Sequence, residues 1–383
     1  MAEYYSNQFG SNRSRDSRRR RRSPWMVMLD VVMVAISAIT AIIMLIILGG
    51  RIFEPDKLWY FSLTGLISPI IYLIAIALSL YWIIRWRWRM FIFVAVFVAM
   101  GWPYVSLYYK MNIGKVYGEP RYERGNLKVV SYNVRYLTDD SWVESTTDSI
   151  LTFIKGENPD IVCFQEFPTK GEEHDKVIEA LSKYKSSKML SDELDGVICF
   201  SKHRIIRTDS ISGFCGTGKG VWCDVKINND TVRIYNLHLQ TTSINLDDRE
   251  YINNIEFLEP ADTSHFNKFK DMAQRLYENS CTRAHQVDAI RHDIKHCPYP
   301  VIVCGDFNDV PMSYTYRTVA SGLKDTFREQ GNGYASTFKG FFDLLRIDYI
   351  LVSKQFETLS YKVTPLEWSD HNPVTARVIL KNR

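Results

Sequence analysis

The sequence predicts an α/β protein: a two-sheet α/β sandwich over residues 125–383, set behind about three membrane-crossing helices within residues 25–110. Three observations point there. Residues 25–110 are dominated by apolar and aromatic side chains gathered into three long runs. From Leu127 onward, short apolar runs alternate with helix-like stretches, the pattern of strands with helices between and around them. Many of those short runs end on a carboxylate, an amide or an imidazole.

Residues 1–24 form a polar tail with seven arginines, five of them in the run Arg18 to Arg22. The first apolar run, Met26 to Leu48, is interrupted only by Asp30, and its 23 residues exceed the roughly 20 that cross a bilayer core of about 30 Å. A cleaved leader is the competing reading. The run is too long for one, and Leu48-Gly49-Gly50-Arg51 is a poor cleavage site, so an anchor is expected. The second run spans about Trp59 to Ile84 and contains Gly65, Ser68 and Pro69, which membrane helices tolerate. The third spans about Met90 to Tyr108. Trp59, Trp82, Trp86, Trp88, Trp102 and Tyr104 gather near the run ends, where such rings favour the headgroup region. Residues 111–124 read as a linker.

Charge sets the expected orientation. The Arg-rich tail and Arg85, Arg87 and Arg89 mark the N-terminus and the loop between runs two and three as cytoplasmic, whereas the first loop has only Arg51 and Lys57. The expectation is a multi-pass cell-membrane protein with its N-terminus cytoplasmic and its sandwich extracytoplasmic. Residues 1–110 carry 13 Lys and Arg against 5 Asp and Glu, a surplus of 8, while the remainder carries 34 against 38, a deficit of 4. A slightly acidic domain argues against non-specific nucleic-acid binding through a basic face. The seven cysteines are odd in number and irregularly spaced, which is not a disulfide framework. Cys163, Cys199 and Cys304 sit in apolar strand runs and should be buried, while Cys215 and Cys223 are open to pairing. Free thiols favour a cytoplasmic domain. The charge rule, satisfied at two loops, outweighs them.

Within the sandwich, strands are expected at 127–133, 160–166, 196–201, 221–227, 232–239, 301–304, 347–352 and 375–380, with helices at 149–155 and 266–295 and a turn at Asn228-Asn229-Asp230. Asn133, Glu166, His238, Asp306 with Asn308, Asp348, and Asp370 with His371 all stand where these runs finish. Strand ends on one edge of a sandwich converge, so residues distant in sequence can form one site. Any one of them alone reads as a turn former or a cap. Together, hard oxygen donors and a titratable ring suit a divalent cation and a phosphate ester.

Ser131-Tyr132-Asn133, Gln165-Glu166, Asn236-Leu237-His238, Gly305-Asp306-Phe307-Asn308, Arg346-Ile347-Asp348-Tyr349 and Ser369-Asp370-His371-Asn372-Pro373 resemble, in order, the motifs of the endonuclease/exonuclease/phosphatase superfamily. The resemblance covers about residues 125–383 and leaves the membrane region out. It implies a four-layer sandwich and metal-dependent hydrolysis of a phosphoric ester. Glu166 is then the principal ligand of Mg²⁺, with Mn²⁺ as a substitute, and Asn133 and Asp370 lie close by. Asp306 orients and deprotonates water, and Asn308 fixes water and phosphate. His371 contacts the phosphate with Asp348 holding its ring, and His238 donates to a phosphate oxygen or assists the leaving group. Whether Asp306 or His371 is the base stays open. The implied partners are the membrane and a phosphate-ester substrate, which is a lipid, a sugar phosphate or nucleic acid; no obligate protein partner is implied. A DNA nuclease and an inactive tethered binding module are the alternatives. Membrane tethering favours a lipid or sugar-phosphate ester.

Other motifs read more simply. His292 and His296 mimic a zinc-binding helix pair, but Asp293 stands where that motif needs Glu, so a solvated helix face is expected. Gly216-Thr217-Gly218-Lys219-Gly220 lacks phosphate-loop spacing and reads as a hairpin loop near the site face. Thr241 to His265 reads as a lid or an insertion. Phe338, Phe341 and Phe342 are either core or an apolar approach to the site.

Overall fold

The structure, a computed structural model, describes residues 23–58, 64–111, 126–139, 144–186, 190–191, 195–242, 248, 263–340 and 343–381. The expectations for the Arg-rich tail, for most of the 111–124 linker and the 241–265 segment, and for Phe341 and Phe342 fall outside these residues.

The described residues of the apolar region include three helices, α1 (Pro24–Gly50), α2 (Ser68–Ile84) and α3 (Trp88–Val105). Among the described residues, α1 and α3 are long and apolar enough to cross a membrane. α2 is shorter than its apolar run. Pro69 sits in its first turn, where the missing N–H costs nothing, so the helix begins there and has 17 residues. At 1.5 Å per residue it spans about 26 Å, less than a bilayer core. Gly101 lets α2 and α3 close, since a Cβ there would stand 2.6 Å from the Tyr72 ring. At one end of the bundle, Asp30 accepts from Arg85 Nε at 2.9 Å, Arg87 at 3.0 Å and the Tyr81 hydroxyl at 2.9 Å. At the other end sits the sandwich.

The strands, in chain order, are β1 (Tyr109–Lys110), β2 (Asn126–Asn133), β3 (Ile161–Pro168), β4 (Lys185–Ser186), β5 (Leu190–Ser191), β6 (Asp195–Ser201), β7 (Arg204–Ser210), β8 (Lys219–Ile227), β9 (Asp230–His238), β10 (Val301–Asp306), β11 (Leu323–Asp325), β12 (Gly333–Tyr334), β13 (Asp348–Ser353), β14 (Phe356–Val363) and β15 (Val374–Leu380). One sheet has the order β14-β15-β2-β3-β6-β4, with β5 also on β6; the other has the order β11-β13-β10-β9-β8-β7. The faces that meet are lined by residues such as Leu127, Val129, Cys163, Val232, Ile234, Ile302 and Cys304. Against the outer face of the first sheet lie α4 (Thr147–Glu157) and α5 (Glu172–Ala180), packed on Val130, Tyr132, Val162 and Phe164. Against the second lie α6 (Thr263–His296) and α7 (Tyr314–Val319), over Tyr235, Leu237, Val303 and Leu351. The result is helix, sheet, sheet, helix. A short α8 (Thr326–Gln330) follows β11.

Besides the two- and three-residue β1, β4, β5, β11 and β12, two long strands escaped the sequence pattern. β7 and β14 are edge strands of the two sheets, and polar residues on their open sides hide the alternation that marks a strand. Cys215 and Cys223 do not pair. Cys215 is exposed, Cys223 is buried between the sheets, and all seven thiols are free. His292 and His296 lie exposed at the end of α6, as a solvated face requires.

Bundle and sandwich share one apolar core. Met44, Ile47 and Ile71 from the helices belong with Met312, Tyr316 and Tyr349 from the sandwich. β1, directly after α3, pairs antiparallel with β12. Arg51 at the end of α1 donates to the Pro311 carbonyl and lies over the rings of Tyr104 and Tyr316.

Candidate active site

Side-chain parity builds this site. Residues two apart on a strand share a face. Asn133 continues the inward row of Leu127 and Val129, His238 that of Val232 and Ile234, and Asp306 that of Ile302 and Cys304; Asp348 heads the row of Ile350 and Val352. Where apolar residues give way to polar ones at the strand ends, the inter-sheet core becomes a buried polar floor. Gln165 donates to Asn236 at 2.6 Å, and Asn236 donates on to the carbonyls of Phe164 and Ile198.

Glu166 breaks parity. Between Phe164 and Phe167, β3 carries one residue more than β6, a β-bulge, and Glu166 takes a positive φ of 48°. Phe164 and Phe167 consequently both pack outward under the helices, and the Glu166 carboxylate turns to the floor. There it meets Asn133, whose Nδ2 donates to Glu166 at 3.0 Å and to Asp306 at 3.1 Å. The Asn133 amide oxygen accepts from the Arg135 N–H at 3.1 Å. Asn133 therefore ties the two carboxylates together through its amide N–H groups.

Asp306 is held on both oxygens. Its Oδ1 accepts the Asn308 N–H at 2.7 Å, and its Oδ2 accepts the Asn308 amide at 3.3 Å. Asn308 itself has φ 50° and donates to the Leu239 carbonyl. Gly305 permits the close approach of β10 to its parallel neighbour β9: its φ is 138°, and a Cβ there would lie 1.9 Å from the Leu237 oxygen. Across the floor, His371 Nδ1 pairs with Asp348 Oδ2 at 2.9 Å, and its Nε2 faces Asp306 Oδ2 at 3.6 Å. Thr337 Oγ1 accepts the N–H groups of Ile347 and Asp348, which fixes the start of β13. Ser369 donates to the Asn133 carbonyl and accepts the His371 N–H, joining the last motif to the first. Phe338 packs on the His371 ring, with centroids 5.1 Å apart. Asp370 lies 3.9 Å from the Arg135 guanidinium.

Electrostatics separates these groups. Burial raises Asp306, against the pull of His371, to a pKa of about 6. Burial also raises Glu166, against its hydrogen bond from Asn133. His371 is pulled down by burial but pushed further up by Asp348 and Asp306, to about 10. His238 is lowered by burial and has 3.5 Å to Glu166. Both its ring nitrogens lack a hydrogen-bond partner among the described residues, as does Asp348 Oδ1.

Carboxylates gathered on one floor, with Asp306 and Glu166 raised in pKa by burial and Asp348 Oδ1 short of a partner among the described residues, fit a hard divalent cation. Ligand atoms of Asp306, Asp348 and His371 lie within 4.8 Å of one another. This compact group is the set that the resemblance assigns to catalysis, and Glu166 adjoins it through Asn133, which bonds both Glu166 and Asp306.

Sequence reasoning overlooked Asp195 and Lys219. They form a buried ion pair of 2.8 Å, and Lys219 stands opposite His238 in the β8–β9 register. Asp195 immediately precedes an apolar run, and Lys219 sits in the glycine-rich loop; the same strand-end logic reaches both.

Residues 130–371 match the model of the Endonuclease/Exonuclease/phosphatase family, and residues 30–108 match that of a domain of unknown function. No curated protein matches the chain. Among solved structures, an endonuclease/exonuclease/phosphatase family protein from Bacteroides thetaiotaomicron aligns with TM-score 0.51 and 19% identity, over 68% of this chain and 100% of its own. One from Bacteroides vulgatus aligns with TM-score 0.50 and 18% identity, over 67% of this chain and 99% of its own. At these identities the likeness is one of fold.

Proposed function

The chain belongs to the endonuclease/exonuclease/phosphatase family, and from that membership we propose that it is a membrane-anchored, divalent-metal-dependent phosphoric-ester hydrolase. The observation that carries the reading is the convergence of Asn133, Glu166, His238, Asp306, Asn308, Asp348 and His371 on one buried floor, with an Asp348–His371 pair facing Asp306. A decayed binding module would be expected to have lost some of these.

Held by Glu166 and Asp370, with the Asp306, Asp348 and His371 group alongside, Mg²⁺ or Mn²⁺ would neutralise charge on the phosphoryl oxygens and the leaving oxygen. The chain's own residues do the rest. Asp306, ionised at neutral pH and fixed by two bonds from Asn308, accepts a proton from the attacking water. His371, protonated at neutral pH, presents Nε2–H to a phosphate oxygen while Nδ1–H donates to Asp348. His238, kept neutral by burial, assists at the leaving oxygen. Asn133 positions Glu166 and Asp306 against each other.

The bundle crosses the membrane three times in this reading, α2 spanning with its flanking turn. The arginine-bearing α2–α3 loop is cytoplasmic, and the sandwich is outside.

The test uses the full-length protein in detergent with bis(p-nitrophenyl) phosphate and Mg²⁺. Asp306→Ala and His371→Ala should each lower kcat/KM at least ~100-fold, on the order of 3 kcal/mol of transition-state stabilisation, with unchanged circular dichroism. Chelation should abolish turnover. Activity retained in both variants overturns the assignment.

A further inference from the structure

Where the bundle meets the sandwich there is a cavity of about 330 Å³, the size range of small-molecule sites. Its walls come from the outer half of the bundle and from the sandwich: Met44 on α1, Leu73 and Ile76 on α2, Trp102 and Val105 on α3, and Met312. Three of the hydroxyls on its walls are already engaged. Ser68 and Tyr108 share a hydrogen bond of 2.8 Å, and Tyr72 donates to the Val98 carbonyl at 3.0 Å. A site whose lining surface is almost wholly apolar recognises hydrocarbon. Leu73 and Trp102 are 65% and 67% exposed, so the cavity opens sideways on the face the bundle turns to its apolar surroundings.

Two chain segments connect this cavity to the catalytic floor. One runs from Asn308 to Met312, the other from Tyr334, at the cavity, to Phe338 on the His371 ring. Each covers four residue steps, at most about 14 Å when extended. A lipid reaches about 20 Å from headgroup to bilayer midplane, so one molecule spans both places. The ground between is apolar too: Leu66, in the turn before α2, packs with Val310 and Phe338.

We propose that this cavity is an acyl-chain site, which holds one hydrocarbon chain of a membrane lipid so that its phosphate ester lies at Asp306 and His371. This rests on the hydrolase reading above and names its substrate class. A soluble phosphate ester would use the floor alone and gain nothing from the cavity.

The test places the full chain in vesicles containing phosphatidic acid, phosphatidylglycerol and phosphatidylethanolamine, a fraction of each carrying a photoreactive diazirine midway along one acyl chain. Label in the wild type should concentrate on Ile76, Val105 and Met312. Val105→Trp, or Ile76→Trp if the first is poorly folded, should cut that label and the hydrolysis of at least one lipid about tenfold or more. Turnover of bis(p-nitrophenyl) phosphate should stay as in wild type. Label spread evenly over the exposed face of α1, or wild-type lipid hydrolysis in a filled-cavity variant, overturns the proposal. Hydrolysis of the soluble ester with none of the lipids also overturns it, yet leaves the hydrolase reading standing. Failure of the wild type on every ester removes the hydrolase reading itself, and with it this substrate assignment.

Discussion

At the residue scale, His371 is where burial and charge oppose each other. Burial disfavours its imidazolium, and the carboxylates of Asp348 and Asp306 more than reverse that, to a pKa of about 10 from an ordinary 6.5. In metal-free protein this difference is a stability signature. A folded state that holds the proton more tightly than the unfolded state gains stability at low pH. The gain is complete below about 6.5 and is lost as pH rises through about 10. In chelator, His371→Gln should therefore melt below wild type at pH 6, and the gap should close towards pH 10. A gap that is constant or widens with pH refutes the imidazolium pairing. Arg346 is a second residue whose charge is confined: it is fully buried, donates to both oxygens of Asp325 at 2.6 and 2.7 Å, and reaches the Leu107 carbonyl beyond α3. Arg346→Leu removes one partner and strands a buried carboxylate. Denaturant unfolding should then show a loss of about 3–5 kcal/mol.

At the element scale, two backbone irregularities shape the site. The β3 bulge turns Glu166 inward, and Gly305 lets β10 pass close to β9. Gly305→Ala must either shift that backbone or leave its φ of 138°, because its Cβ would meet the Leu237 oxygen at 1.9 Å. A loss of about 2–5 kcal/mol is expected, read as a lowered melting midpoint; a midpoint within a degree of wild type would show that the strand relaxes freely. These irregularities mark how far the sequence could be read. Asn133, His238, Asp306 and Asp348 were legible because strand parity and apolar runs are local properties. Glu166 was legible as a strand-end carboxylate, but its aim was not, since a bulge depends on how β3 pairs with β6. The amide direction of Asn133 depends on Arg135, two residues on, and on carboxylates from two other strands. β7 and β14 were hidden by polar edge residues, and the late start of α2 by apolar residues that continue before Pro69.

At the scale of the whole molecule, the bundle has a polar end and a docked end. Asp30 is buried among Arg85, Arg87 and Tyr81, and a carboxylate inside an apolar helix persists only when so paired. That pairing draws the start of α1 and the arginine-bearing α2–α3 loop to one level. The opposite end carries Arg51, held against Pro311, Tyr104 and Tyr316, and passes through β1 into the sandwich. In the orientation proposed above, with the arginine-bearing loop in the cytoplasm, the sandwich lies on the far side. Cys215 reports on this directly, because it is exposed while Cys163, Cys199, Cys223 and Cys304 are buried. In a Cys281→Ser, Cys297→Ser background, a membrane-impermeant maleimide should label the full chain in intact spheroplasts, and Cys215→Ser should abolish that label. Labelling that requires permeabilisation would put the sandwich in the cytoplasm and restore nucleic acid as a substrate within its reach.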